Sequence, residues 1–376
     1  MHPATKWQKA RSCSNSKPND RMKITVCLTN IKPEPWVDSL RALLPQADVS
    51  VWQPGSPVAD HAVVWAPPQA FIDEQVGLKT LFNIGAGVDA LLQLRLPSTL
   101  QVVRLDDAGM SVQMAEYVSH AVIRHFREFD AYERDVREGK WSYRKPNVRA
   151  DFSVGVMGLG VLGARVAKTL QAFEFPVNGW SRSAKQLPGV QCFAGAQQLH
   201  AFLSSSRVLV NLLPLTPETE NVLNHATLAQ LPPHAYVINV ARGRHLVEED
   251  LLALLDSGHL AGATLDVFRT EPLPAGHAFW THPKITVTPH TSARTLRDES
   301  VAQSNGSVDA ASQMSGDDRV VDGRRIDADQ PDHPDRDGHD VSVRSMARDA
   351  VKVDDGRVGA GYRRNLPFDA RDVFCA

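Results

Sequence analysis

The chain of 376 residues lacks several features that mark common classes of protein. Its 4 cysteines include no Cys-x-x-Cys pair and no histidine at zinc-ligand spacing, which indicates free thiols in a reducing compartment and no metal site. The net charge of −2 argues against nucleic-acid and membrane-surface partners. No apolar run reaches the length of a transmembrane helix. These absences favour a cytoplasmic globular protein that acts on small molecules.

The two ends of the chain differ in composition from its middle. Residues 1–21 are polar and mildly basic without the apolar core of a secretory signal, so we expect a disordered extension, with a transit peptide as the alternative. Residues 304–376 contain fifteen Asp, ten Arg and no Glu, and no helical or strand periodicity continues there. We expect a disordered tail. Its composition is typical of a GC-rich gene translated in a shifted frame. Resequencing the gene tests this hypothesis, and an intact frame that codes for this same tail would exclude it.

Between these ends, strand-like and helix-like segments alternate, which predicts an α/β fold with parallel sheets. The length predicts two domains. We expect one domain over residues 22–105 and a second over residues 106–284. Apolar residues spaced three and four apart predict a long helix over residues 111–141 that bridges the two domains.

Gly158, Gly160 and Gly163 form the pattern Gly-x-Gly-x-x-Gly between an apolar strand and a helix. A dinucleotide pyrophosphate requires such glycines for a tight turn, for close approach of the backbone to the phosphates and for close packing of the helix on the strand. The phosphates would then meet free N–H groups at the positive end of the helix dipole. We therefore predict a dinucleotide site at this loop.

The segment after the next predicted strand favours NADPH over NADH. Enzymes that use NAD place Asp or Glu there to bind the ribose hydroxyls, whereas this chain has Ser181, Arg182 and Ser183, with Lys185 close behind. The Arg182 guanidinium can form two hydrogen bonds to a 2′-phosphate, assisted by the neighbouring serines. The alternative is a solvated arginine on a loop.

Three further motifs place polar residues after apolar strands, where open α/β sheets bind ligands. Arg242 has the fork of donors that suits a substrate carboxylate and carbonyl. Glu271 and His290 can pair, and the carboxylate would then raise the pKa of the histidine, as a proton donor near neutral pH requires. The N–H groups of residues 86–88 can bind a carboxylate. Each residue alone also has a structural explanation, as a surface ion pair, a helix cap or a tight turn.

The ordered set of motifs resembles the D-isomer-specific 2-hydroxyacid dehydrogenases: Gly-Ala-Gly-Val-Asp, Gly-Leu-Gly-Val-Leu-Gly, Val-Ala-Arg-Gly, Leu-Asp-Val-Phe with Glu-Pro-Leu-Pro, and Thr-Pro-His. Within that family, Trp-Ala-Pro-Pro, Asp-Ala-Gly-Met and Gly-Trp-Ser-Arg are similar to the A-type glyoxylate/hydroxypyruvate reductases. The resemblance implies two Rossmann-like domains with a cleft between them, one a flavodoxin-like substrate domain and the other an NAD(P)-binding domain. It also implies that residues 285–303 return to the substrate domain, and that the protein is a homodimer.

The resemblance further implies roles for individual residues. Arg242 would orient the substrate, and His290 would act as acid and base with Glu271 as its partner. The substrate carboxylate would bind at Ala86, Gly87 and Val88, and the cofactor would lie along Gly158, Gly160, Val161, Leu162, Gly163, Ser181, Arg182, Ser183, Leu213, Pro214, Thr219, Val240 and Asp266. The expected reactions are glyoxylate to glycolate and hydroxypyruvate to D-glycerate, with NADPH as cofactor and NADH as the alternative.

Two other functions stay open at this point. An NAD-linked D-2-hydroxyacid dehydrogenase with a different substrate is disfavoured by the missing carboxylate after the second strand. A cofactor-sensing interaction protein without catalysis would keep the same Arg, Glu and His. The tail departs from the family, whose members continue a helix back onto the substrate domain. We expect the loss of that helix to lower the free energy of unfolding by about 1.5–3 kcal/mol for each large apolar side chain left unburied.

Overall fold

The structure is a computed structural model that describes residues 21–85, 87–104 and 107–301. Within these residues it contains two parallel β-sheets with helices between most successive strands. The expected N-terminal extension, apart from Arg21, and the Asp- and Arg-rich tail lie outside the described residues. No helix in the described ranges combines the length and apolar content needed to cross a membrane.

The first sheet is built from the N-terminal part of the chain. Its elements are β1 (Lys23–Leu28), α1 (Glu34–Leu43), β2 (Asp48–Val51), β3 (His61–Trp65), α2 (Gln69–Glu74), β4 (Thr80–Asn83), α3 (Asp89–Leu92) and β5 (Gln101–Arg104). The strands are parallel in the order β2-β1-β3-β4-β5, which is the flavodoxin-like order. The three central strands β1, β3 and β4 are mostly apolar and buried, as Val26, Val63 and Phe82 show.

The second sheet follows two helices and carries the glycine loop. Its elements are α4 (Met110–Phe126), α5 (Phe129–Arg137), β6 (Val154–Met157), α6 (Val161–Ala172), β7 (Val177–Ser181), β8 (Val190–Ala194), α7 (Leu199–Ser204), β9 (Val208–Asn211), α8 (His225–Leu228), β10 (Ala235–Asn239), α9 (Glu248–Asp256), β11 (Leu260–Leu265) and β12 (Ile285–Val287), with short 3₁₀ turns at Arg149–Asp151, Ala196–Gln198, Gly243–His245 and Ala278–Trp280.

The second sheet has the order β12-β11-β10-β9-β6-β7-β8. The strand order reverses between β6 and β9, and ligands bind at such a switch point, outside the carboxyl ends of the strands. Val156, Leu170 and Val210 belong to one buried cluster against which α4 also packs. The predicted α/β class with two Rossmann-like domains is confirmed.

The expected single helix over residues 111–141 is two helices. α4 ends at Phe126, Glu128 adopts a left-handed φ of 54°, and α5 starts at Phe129. The Asn147 side chain donates to the carbonyl oxygen of Phe126 at 2.8 Å, so a loop residue satisfies an acceptor at the helix end. The apolar spacing continues through the break because Phe129 extends it, although 40% of that residue is exposed.

We expected the chain to return to the first domain at residue 285, but it does not. Residues 285–287 form β12, which pairs in parallel with β11 at the edge of the second sheet. The return comes after His290: the Leu296 N–H donates to the carbonyl of Ala108 at 3.1 Å, and Val301 is buried in the core of the first domain. Without β12, one edge of β11 would lack a strand partner. By pairing there, β12 satisfies the backbone hydrogen-bonding groups of that edge before the chain leaves the sheet.

Candidate active site

The three glycines of the loop between β6 and α6 differ in their surroundings. Gly158 has a left-handed φ of 107°, which the tight turn requires. A Cβ on Gly163 would lie 1.8 Å from the carbonyl oxygen of Gly158, so α6 packs directly on the turn. A Cβ on Gly160 would have no heavy atom within 4 Å. The loop therefore leaves open space above its second glycine.

The start of α6 forms one wall of the cleft. Gly160 is the N-cap residue and no side chain caps the helix, so the N–H groups of its first turn are not satisfied by a capping side chain. Val161 and Leu162 line the cleft beside them, and Val161 is 46% exposed. An uncapped helix start next to open space fits the pyrophosphate of a dinucleotide.

The segment after β7 places a cationic group at the cleft. Arg182 and Ser183 line it and are exposed, whereas the buried Ser181 hydroxyl donates to the Ser183 carbonyl at 2.8 Å. The Lys185 ammonium donates to the carbonyl of Leu159 in the glycine loop at 2.6 Å. The arginine is thus presented to the cleft by a loop that is tied to the glycine turn.

The loops after β9 and β10 also line the cleft. Leu213, Pro214, Thr219 and Val240 all line the cleft. The Thr219 hydroxyl donates to the Pro214 carbonyl at 2.7 Å, which folds the loop back on itself. These four residues, which the sequence predicted along the cofactor path, therefore line the same cleft as the glycine loop.

Arg242 reaches across the cleft to the first domain. It follows β10, and its Nε donates to Asp89 Oδ1 at 3.1 Å, at the start of α3. A Cβ on Gly87 would lie 1.6 Å from Arg242 Nη2, so any larger residue there would displace the guanidinium from its present position. Val88 also lines the cleft. Ala86 lies outside the described residues.

His290 and Glu271 form a hydrogen-bonded pair at the same cleft. His290 Nδ1 lies 2.8 Å from Glu271 Oε2, and the second carboxylate oxygen accepts the Phe268 N–H at 3.0 Å. The bond to Glu271 raises the pKa of His290, while burial and the charge of Arg242 oppose that shift. Burial alone would raise the pKa of Glu271, but its bonds to His290 and Phe268 lower it overall. The pair therefore favours a protonated imidazole beside a charged carboxylate.

Asp266 is the predicted cofactor residue that the structure does not bring to the cleft wall. Its side chain is fully buried. Its carboxylate accepts hydrogen bonds from the Thr288 hydroxyl at 2.6 Å and from the N–H groups of Thr291 and Ser292 at 2.8 Å each. Its oxygens face the segment around His290, because those donors supply the bonds that a buried charge needs.

Arg242 and His290 thus line one cleft together with the glycine loop and Arg182, and Glu271 reaches that cleft through its hydrogen bond to His290. Sequence reasoning assigned no role to Asp89, the partner of Arg242. The signal was present, since Asp89 closes the Gly-Ala-Gly-Val-Asp motif, but the two residues are 153 positions apart. Among the described residues, no group of His, Cys, Asp or Glu is arranged to hold a metal ion.

An arginine and a carboxylate-bound histidine opposite a dinucleotide-type glycine loop define the site of a 2-hydroxyacid dehydrogenase. Residues 119–292 match the family model described as D-isomer specific 2-hydroxyacid dehydrogenase, NAD binding domain. A relative from Serratia proteamaculans, named glyoxylate/hydroxypyruvate reductase A, is 50% identical over 270 residues, which are 70% of this chain and 86% of the relative. The chain belongs to the D-isomer specific 2-hydroxyacid dehydrogenases, so the predicted family is confirmed.

Two solved structures are similar to this one over most of their length. The NADPH-dependent glyoxylate/hydroxypyruvate reductase from Sinorhizobium meliloti, in complex with NADP and sulfate, has a TM-score of 0.74 at 35% identity and covers 80% of this chain and 98% of its own. A D-isomer specific 2-hydroxyacid dehydrogenase from Xanthobacter autotrophicus Py2, in complex with NADPH and MES, has a TM-score of 0.72 at 40% identity and covers 77% and 95%.

The glycine geometry predicts opposite outcomes for two alanine substitutions. Gly163→Ala should destabilise the protein by about 1–3 kcal/mol, because the new methyl group overlaps a backbone oxygen. Gly160→Ala should leave stability within about 0.5 kcal/mol of the parent, because its methyl group enters open space, yet should weaken NADPH binding. Urea unfolding and fluorescence titration with NADPH measure the two effects. A Gly160→Ala protein that binds NADPH like the parent would contradict the assignment of this space to the dinucleotide.

Proposed function

We propose that this protein reduces glyoxylate to glycolate and hydroxypyruvate to D-glycerate with NADPH. The observation that carries the proposal is the His290–Glu271 pair at 2.8 Å, which shares one cleft with Arg242 and the glycine loop. The names of the Serratia relative and of the Sinorhizobium structure, which contains NADP, support the same reaction.

Arg242 binds the substrate in this proposal. Asp89 occupies its Nε and the Ala241 carbonyl accepts from Nη1 at 2.7 Å, which fixes the plane of the guanidinium. The remaining N–H donors can then bind the carboxylate and the reacting carbonyl oxygen of a 2-oxoacid. The N–H groups of Gly87 and Val88, in the loop against which Arg242 lies, assist at the carboxylate. A short 2-oxoacid carries both of the groups that this donor set recognises.

His290 supplies the proton. Because Nδ1 is bonded to Glu271, the proton that His290 transfers is the one on Nε2. The charged Glu271 stabilises the imidazolium, and Arg242 polarises the carbonyl whose oxygen receives the proton. In the oxidative direction the neutral imidazole accepts the proton from the substrate hydroxyl.

The glycine loop, the start of α6 and the Arg182 segment would hold the cofactor, with Arg182 and Ser183 at its 2′-phosphate. Bound NADPH supplies the hydride for the carbonyl carbon. Leu213, Pro214, Thr219 and Val240 would cover the opposite side of the cofactor and exclude water from that wall.

Rates of NADPH and NADH oxidation over a panel of 2-oxoacids test the function and the role of Arg182 together. We expect glyoxylate and hydroxypyruvate to be the best substrates. Arg182→Asp should lower kcat/KM for NADPH by about ten- to a hundredfold, since charge-assisted hydrogen bonds contribute about 1.5–3 kcal/mol. It should preserve or improve the use of NADH. Arg165→Asp, the same charge change on the exposed face of α6, is the matched control. Normal NADPH binding without turnover would refute the enzyme and favour a cofactor-sensing protein.

The His290–Glu271 pair predicts the pH dependence of reduction. The folded protein holds the pKa of His290 above its ordinary value, so activity should be present below that raised pKa and fall as the pH rises through it. Glu271→Gln removes the charged partner, and the high-pH limb of kcat/KM should move to lower pH. His290→Asn should lower kcat by about 10²–10⁴-fold. An unchanged profile in Glu271→Gln would show that His290 does not titrate in catalysis.

We also propose a cytoplasmic homodimer. Exposed apolar side chains cluster on α5 and the segment after it, where a second copy would cover them. They are Phe129 (40% exposed), Val136 (74%), Trp141 (103%), Tyr143 (85%) and Val148 (58%). Cys27 and Cys192 are free thiols, as in a reducing compartment.

Light scattering after gel filtration tests the dimer. The parent should have twice the mass of one chain, and Trp141→Asp should shift it towards the monomer. Val76→Asp, which replaces a valine that is 78% exposed on the first domain, should leave the mass unchanged. A monomeric parent would refute the dimer, and cell fractionation with an epitope-tagged chain tests the compartment.

A further inference from the structure

Two side chains of α4 hold the segment that carries His290 from both sides. Gln113 Nε2 donates to the Arg294 carbonyl at 2.8 Å, and the Arg294 N–H donates back to Gln113 Oε1 at 3.2 Å. One helical turn later, the Tyr117 hydroxyl lies 2.5 Å from Thr288 Oγ1. Residues four apart share a helix face, so the two contacts act side by side. They meet the chain two residues before and four residues after His290.

The Tyr117 hydroxyl begins a chain of hydrogen bonds that leads through Thr288 to Asp266. Because Thr288 donates its hydroxyl proton to Asp266 Oδ1 at 2.6 Å, Tyr117 must be the donor to Thr288. Burial raises the pKa of Tyr117 to about 12, so its proton is retained at working pH. The chain therefore has one orientation.

Asp266 in turn accepts hydrogen bonds from the backbone of the turn around His290. Its carbonyl oxygen accepts the His290 N–H at 2.8 Å, and its carboxylate accepts the N–H groups of Thr291 and Ser292 at 2.8 Å each. His290 itself has a left-handed φ of 52°, which L-residues rarely adopt. Such a conformation persists only where the surroundings enforce it, and three consecutive N–H groups bound to one residue do so.

We propose that Gln113 and Tyr117 form a clamp that positions His290 for proton transfer. The proposal rests on the function given above and deepens it, since neither residue touches substrate or cofactor in that mechanism. α4 begins with Met110 in the core of the first domain, and the clamp lies within its first two turns. The helix that leaves the substrate side of the cleft therefore also sets the place of the proton donor.

Loosening the clamp should change the electrostatics of His290 as well as its position. The charged groups that act on His290 are Glu271, Arg242 and Asp266. If the His290 ring moves away from Glu271, the interaction that most strongly favours the imidazolium is weakened. The positive charge of Arg242 still disfavours the imidazolium. The pKa of His290 should therefore fall when either contact of the clamp is removed.

The test compares Tyr117→Phe, Gln113→Met and the double variant with Tyr236→Phe in the full chain. Tyr236→Phe is the matched control, because its hydroxyl also pairs with a threonine, Thr264, at 2.9 Å in the core of the same domain. We expect the clamp variants to lose about five- to fiftyfold in kcat for glyoxylate, since small misplacements of a catalytic group are costly. Their high-pH limb should move to lower pH while the Kd for NADPH stays unchanged. Tyr236→Phe should lower the melting temperature only.

The proposal is overturned if the clamp variants match Tyr236→Phe, with reduced melting temperature but parental kcat and pH profile. Gln113→Met decides the matter alone if Tyr117→Phe does not fold. NMR titration of the His290 ring, assigned with His290→Asn, separates the clamp from the proposed function. If the parent protein shows no turnover, the proposed function is refuted. The clamp is then supported if its variants lower the pKa of His290 in the NMR titration, and refuted if they do not.

Discussion

A carboxylate without access to water must have its charge met by hydrogen-bond donors, and Asp266 meets this need from the segment around His290. The requirement works in both directions. The buried charge is satisfied only if the turn keeps its shape, and the same carboxylate satisfies the N–H groups of Thr291 and Ser292 in that turn. The unusual backbone of His290 is the geometric consequence. The conformation of His290, the proposed proton donor, thus depends on a residue that does not reach the cleft.

The parallel sheets explain why residues far apart in sequence converge. All strands of a parallel sheet end at the same edge, so the loops after β6, β7, β9 and β10 open on one side. The loop after β4, with Gly87 and Asp89, leaves the first sheet towards the same cleft. Hydrogen bonding within each sheet therefore assembles the site, and each loop contributes only one or two side chains.

Much of this arrangement could be predicted from sequence because it follows from local pattern. Strand–helix alternation predicted two parallel-sheet domains, and Gly158 and Gly163 meet the turn and packing demands inferred for them. What escaped prediction depends on the third dimension. The pairing of Arg242 with Asp89 joins two domains, and the inward direction of Asp266 depends on donors more than twenty residues away.

The errors in the elements have the same origin. The helix over residues 111–141 was continued past Phe126 because an exposed Phe129 fits the apolar spacing, while Asn147, which satisfies the Phe126 carbonyl, is remote in sequence. The strand β12 was assigned to the wrong side of the domain boundary, because apolar content does not reveal which sheet offers a free edge. Periodicity detects elements, and their partners are chosen by packing.

The ion pair between Arg242 and Asp89 has a consequence for the energetics of recognition. A guanidinium free in solvent would lose rotamer freedom when a ligand arrives, at a cost of about 2 kcal/mol. Here Asp89 and the Ala241 carbonyl have already fixed it, so that entropy is lost when the protein folds. The proposed 2-oxoacid substrate would meet an oriented guanidinium whose charge Asp89 already partly compensates. On that proposal, recognition depends on shape and donor geometry more than on the strength of attraction for any anion.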